Sequence, residues 1–277
     1  MASNETEPVS TAEGTGVVIT TGFGNFHMLG AAAAAADRGT LAMVFCGAYP
    51  TERLSRFAGL IAPMLSQINV AKFSGRGIRQ LPDAKVAPQI LAELIFKLHL
   101  LLSRRRWTRL ADDALEIALR LSARSTRASL DHLKTQAKIL HYRAGFGLEC
   151  LDEARRQGYV LLCDHSIAHP QALDALIDGN GAFARKTSPD RLSRLWSLVL
   201  EDIHKADHVV VNSDFVRETF QQCGERTDNI HVIYQGIDDT FLAGLPPKPP
   251  SGSDALRKFF FAGYFTRRKG APLLLAS

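Results

Sequence analysis

Three short stretches of this 277-residue sequence carry residue types at spacings that could do chemistry. Cys163-Asp-His-Ser-Ile-Ala-His-Pro170 places His165 and His169 directly after an apolar, strand-like run. In a parallel sheet that position is the carboxyl end of a strand, where ligands bind. Imidazoles there can position or polarise a substrate group, or bond to loop backbone; both readings stay open. Arg267-Arg268-Lys269-Gly270 stands just before a helix start at Ala271. Cations beside a helix N-terminus favour an anion such as a phosphate, although a solvated basic turn has the same composition. Thr21-Gly22-Phe23-Gly24-Asn25 turns from a first strand into a first helix. Glycine lets backbone amides approach a ligand closely there, with a purely structural tight turn as the alternative.

Other chemistries fit poorly. A dinucleotide fingerprint would need a third glycine where His27 stands, and an acid after the second strand, where Gly47-Ala48 occur. Cys46, Cys150, Cys163 and Cys223 are far apart without CxxC spacing, so neither a zinc site nor a disulfide framework is expected. Buried, reduced thiols fit a cytoplasmic setting. No Asp-x-Asp triplet occurs, and no metal site is expected. The net charge of +5 favours an anionic partner without choosing among nucleotide diphosphate, acidic lipid and nucleic acid.

The elements that must position these residues follow from the apolar pattern. Residues 1–15 are polar and read as a disordered tail, not a signal peptide. Gly16–Thr21 and Leu41–Cys46 read as strands around a helix over Asn25–Asp37, a βαβ unit that implies a parallel sheet. From Ala84 to Thr135 the pattern is almost entirely helical, a helical insertion or a helix pair beside the sheet. Alternation then resumes: strands over 138–142, 159–163, 208–212 and 230–234, and helices over 147–157, 191–206 and 214–223. Continuous apolar strands are buried on both faces, as a doubly wound sheet requires. The proline-rich stretch from Leu245 to Ser253 reads as a linker, followed by a strand at Phe259–Ala262 and the start of a helix at Ala271. The predicted organisation is a domain over 16–244, a linker over 245–255 and the opening of a second domain over 256–277.

Three of these segments, in this order and spacing, carry a resemblance. Ala206-Asp-His-Val-Val-Val-Asn-Ser-Asp-Phe215 precedes Ile230-His-Val-Ile-Tyr-Gln-Gly-Ile-Asp238, and then comes Phe260-Phe-Ala-Gly-Tyr-Phe-Thr-Arg-Arg-Lys-Gly270. Together they resemble the GT-B glycosyltransferases of family 4, closely over 147–277 and loosely over the first βαβ unit. The helical middle matches nothing in that pattern. The resemblance implies a Rossmann-like acceptor-side domain with a helical insertion, followed by a truncated Rossmann-like donor-side domain. It implies a retaining, hexosyltransferase-type transfer from a nucleotide-diphosphate sugar to a hydroxyl on a glycan, lipid-linked or small-molecule acceptor. Charge grows on the leaving diphosphate in such a transfer, so fixed cations lower the barrier. The resemblance places Lys269 on that diphosphate, with Arg268 beside it, and needs no metal or other cofactor. It puts a histidine near the transferred sugar, His169 first and His165 second, and makes Gly22, Phe23 and Gly24 a cleft loop. Tyr264 departs from the pattern, which often has arginine there. The paired glutamates that hold the donor in the family lie beyond Ser277, so this chain is expected to bind donor poorly. A non-catalytic fragment or binding module is the alternative.

Lys97 to Arg127 is rich in arginine, and Arg104-Arg-Arg-Trp107 adjoins Leu100-Leu-Leu102. Such a stretch can lie on an anionic membrane, or form the exposed side of a packed helix. Nucleic acid is not expected, because the basic run lacks the interleaved aromatics of a stacking platform. The sequence thus predicts a cytoplasmic protein with peripheral contact to the inner face of the membrane as a further possibility.

Overall fold

The computed structural model describes residues 16–24, 27–52, 77–78, 80–177, 192–236, 242–245, 261, 263, 265 and 270–276. Among these residues, seven strands form one parallel sheet: β1 (Gly16–Gly22), β2 (Leu41–Cys46), β3 (Val86–Pro88), β4 (Ala137–Arg143), β5 (Val160–Asp164), β6 (His208–Val211) and β7 (Ile230–Val232). Their order is β3-β2-β1-β4-β5-β6-β7. The chain therefore winds outward one way from β1, then returns and winds the other way from β4. A crevice opens between the carboxyl ends of β1 and β4, where the loops diverge.

Burial explains why these runs become central strands. Val18, Ile19, Leu140 and Leu161 are each at most 1% exposed. Val18 and Ile19 are adjacent yet belong to two different apolar clusters, since successive side chains point to opposite faces. One face is covered by α1 (Met28–Asp37), through Met28, Leu29 and Ala32. The other packs against α4 (Glu149–Arg156), α6 (Arg194–His204) and α7 (Asp214–Cys223), and against the end of α3 (Thr108–Leu133). All four cysteines are buried, and burial pushes the thiols of Cys150 and Cys163 well above the ordinary range.

The predicted helical middle is a pair, α2 (Ile90–Arg104) and α3, joined by a tight turn. It is not helical throughout. Val86–Pro88 forms the edge strand β3, paired in parallel with β2. A three-residue strand is too short to show a period of two, and an edge tolerates its proline. A helix α5 (Pro170–Ile177) follows β5, with proline at its first position, where no N–H is needed. The helix expected from Asn25 begins at Met28. The tail at 1–15 lies outside the described residues, as do most of the linker, Arg268 and Lys269. Of the strand expected over Phe259–Ala262 only Phe261 is described, and it is not in a strand. The helix α8 (Ala271–Ala276) begins where expected.

Candidate active site

The crevice between β1 and β4 is built from three loops. After β1, Gly22 takes φ +79° and Gly24 φ +91°, the left-handed region that glycine enters without strain. A Cβ on Gly22 would also meet the Phe146 ring at 2.7 Å. Gly22→Ala should therefore destabilise the fold by about 1–3 kcal/mol, read as a lowered Tm. The turn sends Phe23 inward, against Phe146 edge-on at 5.0 Å and Phe96 of α2 at 5.2 Å.

The loop after β4 is held from beneath by Asp202 of α6. This carboxylate is fully buried and accepts from the backbone N–H groups of Gly145 (2.8 Å), Gly147 (2.7 Å) and Leu148 (2.8 Å). Tyr142 donates its hydroxyl to the carbonyl of the same residue at 2.7 Å. Leu148 sits at φ +41°, an unfavourable conformation for leucine that the bonds to Asp202 help to hold. Burial pushes the Asp202 carboxyl up to about 7, while the three N–H donors pull it down. The second glycine of this loop is needed for space: a Cβ on Gly147 would strike Leu151 at 2.7 Å.

At the carboxyl end of β5, Asp164 is buried and bonds His27 across the crevice, Oδ2 to Nε2 at 2.9 Å. His27 immediately precedes α1, and its side chain stays about one-third exposed. The His141 Nε2 lies 4.0 Å from the same oxygen. Burial lowers the His141 pKa, Asp164 opposing it, so this imidazole is neutral near pH 7. Burial likewise lowers that of Arg143, although Asp164 attracts its charge. With Asp164 as acceptor, a neutral imidazole at His27 would carry its proton on Nε2 and leave Nδ1 as an acceptor. The other Asp164 oxygen, Oδ1, is buried with no hydrogen-bond partner among the described residues. A carboxylate-oriented imidazole can accept or polarise a hydroxyl proton.

Beside this pair lies a cavity of about 330 Å³; Asp164 lines it, and His27 stands just outside its lining among the described residues. Its apolar wall includes Phe23, Phe96, Phe146 and Trp196, and its polar wall Arg143, Asp164, His165 and Ser166. A largely apolar slot with convergent polar groups at one side suits a small amphipathic ligand.

The sequence-derived residues divide in space. His165 lines the cavity; its Nε2 bonds the Ala168 carbonyl at 3.2 Å, and burial lowers its pKa to about 4, so it stays neutral. His169 is fully buried at the start of α5, stacked edge-on against Phe220 at 4.9 Å. Its Nδ1 accepts from the Gln171 N–H at 3.3 Å and its Nε2 lies 3.5 Å from Glu225. It is absent from the cavity lining among the described residues. Phe23 forms part of the apolar wall, while Gly22 and Gly24 shape the turn beside it. Lys269 and Arg268 lie outside the described residues. Sequence reasoning passed over His27, Asp164 and His141. The available signals were an acid ending a strand and a histidine opening the first helix, each ordinary alone.

The sequence profile of Glycosyltransferase Family 4 matches residues 26–241. Among solved structures, UGT2 of Phytolacca americana, complexed with UDP-2fluoro-glucose and pterostilbene, aligns with 84% of this chain at 17% identity and a TM-score of 0.43. A UDP-glucosyltransferase from Polygonum tinctorium, capable of glucosylating indoxyl, aligns with 87% at 14% identity and a TM-score of 0.40. LpCGTa in complex with UDP aligns with 87% at 12% identity and a TM-score of 0.39. The chain spans 57%, 56% and 61% of those three proteins, respectively. No curated protein matches it. With 26–241 of its 277 residues matched by that profile, the chain belongs to glycosyltransferase family 4.

Proposed function

We propose that this protein transfers a hexosyl group from a nucleotide-diphosphate sugar to a hydroxyl of an amphipathic acceptor, with retention at the anomeric carbon. The observation that carries the reading is the 2.9 Å His27–Asp164 pair beside a largely apolar cavity at the β1/β4 crevice. In this scheme the acceptor lies against Phe23, Phe146 and Trp196, with its hydroxyl toward His27. The acceptor oxygen bonds to the anomeric carbon as the bond to the diphosphate breaks, and the leaving phosphate oxygen takes the proton. His27 positions and polarises the hydroxyl. On the donor side, the family resemblance assigns diphosphate charge to Lys269 and Arg268, a role that needs no metal ion.

The His27–Asp164 bond also favours a second reading, in which His27 is a general base and the configuration inverts. Product stereochemistry separates the two. A panel of sugar nucleotides is incubated with the protein and aromatic or lipid-linked alcohols, and the anomeric proton coupling of the product is read by NMR. The expected product keeps the donor's configuration. An inverted product gives His27 the role of base, and no transfer with any donor supports a non-catalytic binding module.

A further inference from the structure

The α2–α3 pair carries a second surface, facing away from the cavity. On α2, Ala92, Glu93, Phe96 and His99 turn inward, and Phe96 and His99 reach the cavity wall. On its opposite side Leu91, Leu94, Leu98 and Leu101 follow one another at three- and four-residue intervals, and all four are exposed. Leu101 is 58% exposed, and the apolar row continues around the turn with Trp107 at 57% and Leu110 at 57%. Single exposed leucines are ordinary, but a row of them running on through Trp107 to Leu110 marks a surface that meets something.

The charges at the same end identify the partner. Arg104, Arg105, Arg106 and Arg109 are all exposed, and none has an ion-pair partner among the described residues. Further along α3 the basic side chains behave differently. Arg120 bonds Glu116 and Glu149, Arg124 lies 3.9 Å from Glu149, and Arg127 lies 3.5 Å from Glu153. The basic stretch over 97–127 thus splits into an internally neutralised part and an unneutralised tip. The turn between the helices sharpens that tip. Trp107 N–H bonds the Leu102 carbonyl and Arg106 N–H that of Ser103, a Schellman cap. The left-handed residue of such a cap is usually glycine; here it is Arg106, at φ +58°. A charge stands where backbone strain favours no side chain.

We infer that this surface, from Leu91 to Leu110, docks on an anionic lipid bilayer. Leucines and Trp107 enter the headgroup boundary and the four arginines meet lipid phosphates, an arrangement independent of the transfer chemistry proposed above. No helix among the described residues is long and apolar enough to cross a membrane, so the contact would be one of surface attachment.

Sedimentation with vesicles tests this. The full chain is mixed with vesicles of phosphatidylcholine alone, or of equal parts phosphatidylcholine and phosphatidylglycerol. Binding is expected only to the second, weakening as salt rises. Replacing Arg104, Arg105 and Arg106 together by Gln should weaken it by about a hundredfold, since each basic residue near an anionic surface adds to attraction. Arg106→Gly is the control for folding: it should raise Tm while still reducing binding. Leu98→Ser with Leu101→Ser should reduce binding without changing the charge. The proposal is overturned if the wild-type chain ignores anionic vesicles at low salt, or if the arginine variant binds undiminished. It is equally overturned if analytical ultracentrifugation shows a dimer that the two-leucine variant dissolves, which would make a second copy the occupant.

Discussion

Asp202→Ala is expected to lower the folding stability by about 3–6 kcal/mol, because it strands three buried N–H donors at once. Gly145, Gly147 and Leu148 have their bonds to this fully buried carboxylate at 2.7–2.8 Å, and Leu148 is held at φ +41°. At roughly 2–4 °C per kcal/mol for a chain of this size, the midpoint should fall by about 10 °C or more. The damage reaches function, since Arg143 at the end of β4 and Ala144 and Phe146 of this loop line the cavity. Stability should also depend on pH through this group. Its folded pKa of about 7 lies above the ordinary 3.8, so its contribution is fully present below about pH 4 and lost as pH rises through 7. Thermal melts between pH 5 and 8 should show this slope in the wild type. Asp202→Asn, which cannot titrate, should flatten it.

Asp164→Asn should lower kcat for glycosyl transfer by about a hundredfold, with little change in KM for the donor. The substitution keeps shape and removes the charge that orients His27 from 2.9 Å. An amide offers N–H as readily as oxygen, so the imidazole loses its fixed tautomer. His27→Ala should match this loss, and combining the two should add little, as expected of residues acting as a unit. Initial rates over a range of acceptor concentrations check all three variants. Equal rates in wild type and Asp164→Asn would remove the pair from the mechanism.

Much of the scaffold is legible in the sequence because local patterns suffice. Leu41–Cys46 is a continuous apolar run, and it forms a strand with those bounds. Asp214–Cys223 begins after Ser213, whose hydroxyl accepts from Val216 N–H at 3.3 Å, and ends at Gly224 with φ +85°. The helix pair over the middle follows from leucine and alanine spacing. The site is less legible because it joins distant residues. His27 and Asp164 are 137 positions apart and meet only because β1 and β5 both flank β4 in one parallel register. His165 and His169 look equivalent in sequence, yet one lies on the cavity and the other under α7, because the chain turns into α5 between β5 and Gln171. Asp202 carries no signal at all. It resembles any helical aspartate until the loop after β4 folds over it.

The proposed transfer requires an acceptor hydroxyl to meet His27 in the crevice between β1 and β4. A crystal structure with an aromatic alcohol and a nucleoside diphosphate bound tests this most directly. The expected result is an acceptor ring between Phe23, Phe146 and Trp196, with its hydroxyl about 2.6–3.2 Å from His27 Nδ1. An acceptor seated elsewhere, with this cavity empty and the imidazole turned away from it, would contradict the account.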